Sequence, residues 1–327
     1  MMTIRRALAG VALLIPAALG AQTNQYYPQT YMRASHNWAF RKNYPNADRL
    51  FNAFDYGHAI LYETLWGQPT GKVSALDTDQ FGFITNKLLV HPPRVMLDES
   101  AIGPEWAKLA PEALMMFEWA HMLHRQIYDV WADDRIPASQ KDARVAEVVS
   151  YYKTRPALAF SSKPKDMELM EGQPYSLAFR KKFPKFNGLI WSYHWLQMTL
   201  YDALMSGATP KERHDNVDQV VSLFRGMTQA PSTFPAVMPM SPAIAPMFVE
   251  RYPEAATIFD NLHSMHDVVS DILANPVIPR DQKRQAILRA AAQYRDDHTS
   301  ITSVADWKSM SNEMGVEKMG GRPTFKR

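Results

Sequence analysis

The stretch Phe117–Pro137, FEWAHMLHRQIYDVWADDRIP, returns without a gap as FDNLHSMHDVVSDILANPVIP at Phe259–Pro279. Glu118 pairs with Asp260, His121 with His263, His124 with His266, Asp129 with Asp271, and Ile136-Pro137 with Ile278-Pro279. A third copy sits 73 residues after the first: His194 stands for His121, Tyr201-Asp202 for Tyr128-Asp129 and Pro210 for Pro137. It has lost the acidic position, where Trp191 replaces Glu118. Phe54-Asp55-Tyr56-Gly57-His58 supplies a fourth, so that His58, His121, His194 and His263 are spaced by 63, 73 and 69 residues.

Each copy has the apolar spacing of a helix. Leu50, Phe54, Leu61 and Leu65 recur along one stripe that includes His58, and Gly67 with Pro69 ends it. After Pro137 a second helical stripe, Ala143, Val145, Val148, Val149 and Tyr152, reads as an antiparallel partner. No long alternating run predicts a sheet. The expected fold is all-α: a single domain of about four helical-hairpin repeats, a pseudo-symmetric helical bundle or toroid, with long Pro-rich loops. The units are about 45–110, 111–184, 185–246 and 247–300, within a helical-repeat domain 45–314. An aromatic arm, 22–44, precedes it and a tail, 315–327, follows. Pro-rich segments at 155–184 and 230–246 read as an insertion and a packed loop.

Arg5-Arg6, the apolar run Ala7–Leu19 and the small residues Gly20-Ala21 have the order of a secretory signal peptide, residues 1–21. The mature chain is therefore expected in the periplasm or outside the cell, an uncleaved anchor being the lesser alternative. The 327 residues contain no cysteine, which removes thiolate metal sites, c-type haem attachment and cysteine nucleophiles together. With a net charge of +3 and no basic stripe, nucleic acid is not an expected partner. No phosphate loop, dinucleotide fingerprint or nucleophile elbow is present.

What remains is imidazole and carboxylate. A carboxylate three residues before a histidine shares its helix face, one turn away. The candidate metal ligands are His58, His121, His194 and His263 with Asp55, Glu118 and Asp260; His124 and His266, one turn further, are candidate cofactor ligands. If the four core helices run parallel, equivalent residues reach similar heights and converge. Nitrogen and oxygen donors without sulfur suit Fe, Mn, Cu or Zn, and the paired histidines would also suit a non-covalent haem. Asp129, Asp202 and Asp271 lie about 12 Å along the axis from their motif histidines at 1.5 Å per residue, so they belong to helix ends or loop caps. The competing reading is a set of core histidines, each satisfied by a neighbouring acceptor and multiplied by duplication, with no cofactor bound. Two functions follow: an exported His/carboxylate metal- or haem-binding protein, with redox activity open to it, or a non-catalytic accessory subunit of an envelope electron-transfer or other membrane-associated complex.

Overall fold

The computed structural model describes residues 30–67 and 75–325. The expected signal peptide, the first residues of the arm and the last two of the tail lie outside the described residues. Helix accounts for 72% of the structure, and an isolated bridge between Lys165 and Ile301 is the extent of β pairing among the described residues.

Four long helices form the centre: α2 (Pro45–Gly67), α5 (Pro111–Ala132), α8 (Pro184–Ser206) and α11 (Pro253–Ala274). Each opens on a proline, whose missing N–H costs nothing in a first turn. Each follows a short lead-in helix: α1 (Ala39–Asn43), α4 (Pro104–Leu109), α7 (Ala178–Lys182) and α10 (Pro246–Arg251). A further single turn, α3 (Glu99–Ile102), precedes α4. The last three long helices are followed by amphipathic partners α6 (Ala138–Lys153), α9 (Pro210–Gln229) and α12 (Arg280–Arg295), and α13 (Val304–Glu313) closes the chain. From Phe117 to Ala132 and from Ala255 to Ala274 every residue is buried, so α5 and α11 are enclosed on all sides and bury their polar side chains along with their apolar ones. The loop at 230–246 is packed, with Met238, Met240 and Ile244 in the core.

A carboxylate 18 residues after each opening proline holds a lead-in helix. Asp129 accepts from the Trp38 and Phe40 amides, both at 2.8 Å, and Asp271 from those of Leu177 and Phe179, both at 2.7 Å. Asp202 accepts from Met247 (3.1 Å) and Phe248 (2.8 Å), and Glu63 from Glu105 (3.0 Å) and Trp106 (2.9 Å). These bonds satisfy amides that have no partner within their own helix. The caps are exchanged: α5 caps the entry to α2 and α2 the entry to α5, while α8 and α11 do the same for each other. An end that meets its partner's beginning, in both directions, makes each pair antiparallel. The expectation of four parallel core helices is therefore corrected.

The same geometry corrects the register of the first unit. Counted from the opening prolines, Asp55 is equivalent to His121, His194 and His263, while His58 is equivalent to His124, Gln197 and His266. The motif match had slipped by three residues. Three residues are about 300° of helix, so the apolar stripe looks almost unchanged under that slip.

Helix exits are also held. Lys141 donates to the carbonyls of Val130, Trp131 and Asp133, and Lys283 to those of Ile272, Leu273 and Asn275. A cation there meets the negative end of the helix dipole and its unpaired carbonyls. The arm is pinned by Gln126, which bonds the Met32 amide (3.1 Å) and carbonyl (2.9 Å) and the Asn37 side chain (2.9 Å).

Candidate metal centre

Where the long helices meet, His58 of α2, His121 of α5 and His266 of α11 turn inward together. One ring nitrogen from each lies within 4.8 Å of the others. An ion at the middle of such a triangle sits at most about 2.8 Å from each nitrogen, against the roughly 2.0–2.1 Å of a metal–imidazole bond. The rings are at most 2% exposed, and none of their six nitrogens has a hydrogen-bond partner. Burial holds His58 and His266 well below the usual imidazole range and pushes His121 down to about 3. All three are thus neutral at physiological pH, the form that offers a lone pair to a metal.

Carboxyl groups flank His121. Asp55 Oδ1 lies 3.6 Å and Glu99 Oε1 3.8 Å from its Nδ1. The other oxygen of Asp55 takes the Arg125 guanidinium at 2.5 Å, and Arg125 reaches Asp48 at 3.5 Å across the face of Phe51. Glu99 is fully buried with both oxygens unpartnered; burial, then the neighbouring Glu118, hold its carboxyl well above the ordinary range. Glu118 lies against Asp98 and the Glu99 amide, and burial followed by the Asp98 charge pushes it up to about 8.

Glu99 escaped the sequence reading because it stands outside the repeated pattern, on α3. Asp98 accepting from the Ser100 amide at 2.9 Å is an N-cap signal that marks the turn. Nothing local marks Glu99 itself as facing the histidines.

The other expected ligands lie apart from this triad. His263 has an oxygen beside each ring nitrogen, the Phe259 carbonyl at Nδ1 (2.5 Å) and Gln197 Oε1 at Nε2 (2.8 Å), and the neutral ring donates to one of them. His124 Nδ1 meets the Tyr201 hydroxyl at 2.7 Å, and its ring stacks on Phe259. His194 packs on His263 with ring centres 3.9 Å apart, its Nε2 3.9 Å from Asp260. Asp260 is committed elsewhere: it accepts from the Ser241 amide and hydroxyl and from the Trp307 indole, tying the 230–246 loop and α13 to α11. The slipped register explains the outcome. The triad takes one histidine from the motif position, His121, and two from the position three residues later, His58 and His266.

A macrocycle does not fit between these rings. His58 and His121 are nearly parallel with centres 6.1 Å apart, but His266 lies 4.0 Å from one and 5.5 Å from the other, within the disc a porphyrin would occupy. Phe54 against His58 and Phe117 against His266, each at 4.0 Å, fill the remaining sides. A single ion fits where haem does not.

No family model, curated protein or solved structure matches the chain. Among the described residues no helix is long and apolar enough to cross a membrane.

Proposed function

We propose that this chain is an exported helical metalloprotein that holds a transition-metal ion on His58, His121 and His266. One observation carries the reading: three buried imidazoles converge within 4.8 Å, and every one of their nitrogens lacks a partner. Leaving a buried polar group unpaired costs about 1–3 kcal/mol. His263, with an oxygen beside each ring nitrogen, is what a purely structural core histidine looks like in the same helix. His194 also has two unpartnered nitrogens, so what sets the triad apart is the convergence of its three rings.

Asp55 and Glu99 stand beside His121 Nδ1 and bias it toward presenting Nε2 to the ion, as carboxylates commonly do for metal-bound histidines. The aromatic wall of Phe54, Phe117 and Tyr62 keeps bulk water out. Three imidazoles with carboxylate neighbours and no sulfur suit Zn, Fe, Mn or Cu. When bound, an ion with three protein ligands keeps a position open for water or substrate and supplies Lewis-acid or redox chemistry.

Elemental analysis of the protein purified without chelator or affinity metal tests the proposal. We expect at least one equivalent per chain, lost in His58→Ala, His121→Ala and His266→Ala and kept in His263→Ala. A folded chain that contains no metal and takes none up would overturn it.

A second reading, an accessory subunit of an envelope complex, draws on exposed apolar side chains gathered in one segment. Phe83, Val90, Val95 and Leu97 are 38%, 53%, 50% and 39% exposed. Protection of residues 83–97 from proteolysis in envelope extracts, but not in the purified protein, would support it; equal cleavage in both would not.

A further inference from the structure

Where α2 and α11 end, a cavity of about 130 Å³ opens between Trp66, Lys182, Asn275, Arg280 and Lys283. It begins about 10 Å of helix beyond His58 and His266 and shares no residue with the metal centre. Three of the residues that line it are cations and none is an acid. Arg280 lies 3.5 Å over the Trp66 ring and donates to the Trp66 carbonyl at 2.7 Å, which fixes its guanidinium and leaves its other N–H groups unused. Lys182 and Arg280 have no ion-pair partner among the described residues, and residues 1–29, 68–74 and 326–327 contain no Asp or Glu. Asp281, next to Arg280, is exposed and does not line the cavity. Lys283 commits its N–H groups to three carbonyls, so it supplies charge alone; burial, then the charges of Arg280 and Lys182, push its ammonium down to about 8.

Helix capping accounts for part of this charge. The last turns of α2 and α11 line the cavity, and a helix C-terminus carries about half a negative charge, so the two together offset about one of the three cations. The end of α5 shows the same corner without the excess. Counted along the repeated motif and the capped lead-in helices, Asn43, Asp133, Asp134 and Ala138 stand where Lys182, Asn275, Pro276 and Arg280 stand here. They surround the capping cation Lys141, and the two acids pair with Arg135 and Arg213. At the end of α11 two acids have given way to neutral residues and two neutral residues to cations. We propose that this corner binds an oxyanion, a phosphate group either free or carried on a lipid headgroup, between Lys182 and Arg280. Guanidinium and ammonium groups are the side chains that hold phosphate. The cavity is smaller than the roughly 300–1,000 Å³ of a cofactor pocket and suits one such group.

The test is calorimetric titration of the full-length protein with inorganic phosphate at low salt, together with co-sedimentation on phosphatidylcholine vesicles with and without phosphatidylglycerol. Lys182→Asn and Arg280→Ala install the residues of the α5 end, and each should weaken binding by roughly tenfold or more. Asn275→Asp, which restores one acid, should weaken it as well. Circular dichroism verifies folding. If both cation variants fail to fold, Asn275→Asp decides, since Asp133 accepts from the amide two residues on just as Asn275 does. Saturable phosphate binding that the variants weaken supports the proposal with a free oxyanion. Binding to the phosphatidylglycerol vesicles alone, weakened by the same variants, supports it with the phosphate on a lipid. Binding that the variants leave unchanged, or that His121→Ala abolishes, places the anion elsewhere and overturns it. Wild type that binds neither probe also overturns it, and the tri-histidine reading is untouched by that result.

Discussion

His121→Leu and His263→Leu should shift stability in opposite directions in metal-free protein, although the two histidines occupy equivalent positions on α5 and α11. Leucine roughly conserves the volume of the ring, so packing changes little. At His121 the substitution removes two buried nitrogens that have no partner. Relieving that burial should stabilise the chelated protein by about 1–3 kcal/mol. At His263 it leaves the buried Gln197 side-chain oxygen without its partner, and should cost about 1–3 kcal/mol. Added metal reverses the ranking for the first variant. A ligand at 100 times its Kd stabilises by about 2.7 kcal/mol, a gain open to wild type and closed to His121→Leu. Urea unfolding with chelator and with Zn²⁺, followed by circular dichroism and by tryptophan fluorescence to check two-state behaviour, gives all the required differences. A His121→Leu protein less stable than wild type in chelator, with no response of wild type to metal, would refute the reasoning and make His121 a core hydrogen-bonding residue.

Asp129→Ala removes the acceptor for the Trp38 and Phe40 amides and should cost about 1–3 kcal/mol in urea unfolding at pH 5, while metal content, set some 12 Å away along α5, stays unchanged. Burial pushes Asp129 up to about 7 and Asp202 up to about 6. The folded state therefore holds their protons more tightly than the unfolded chain, and their stabilising contribution, full below about pH 4, is lost as pH rises through about 6–7; Asp129→Asn should flatten that part of the profile. Lys141 and Lys283 are pushed down to about 8 by burial, so the unfolded state holds more protons between about pH 8 and 10.4 and stability rises there, a slope that Lys141→Met with Lys283→Met should abolish. Gln126→Ala should release the arm without unfolding the body, seen as faster proteolysis around Met32–Asn37 at an unchanged melting temperature.

The helices themselves were legible because proline and apolar period agreed: the stripe of Leu50, Phe54, Leu61 and Leu65 lies on α2, and that of Ala143, Val145, Val148, Val149 and Tyr152 on α6. Asp129, Asp202 and Asp271 could be assigned to capping from helix rise alone, and each does cap a lead-in helix. The fourth cap was hidden because it is Glu63 rather than aspartate, and without it the first unit settled one turn out of register. That slip carried into the site. Asp55 and His58 remained candidates, yet convergence was sought at His194 and His263, whereas the pairing of antiparallel helices brings His266 to His58 and His121. Glu99 and Arg125 could not be found from the repeat, since each occurs once and depends on a contact between elements distant in sequence.

The exchanged caps constrain how the chain assembles as it is synthesised. Trp38 and Phe40 emerge first but wait for Asp129, 91 and 89 residues later, and Leu177 waits 94 residues for Asp271. Neither member of a pair has its caps until the other is made, so the nascent chain should mature in two instalments, α1–α6 and then α7–α12. His58 and His121 belong to the first instalment and His266 to the second. A cation on those three side chains would be a rivet across the seam, set after both halves have closed.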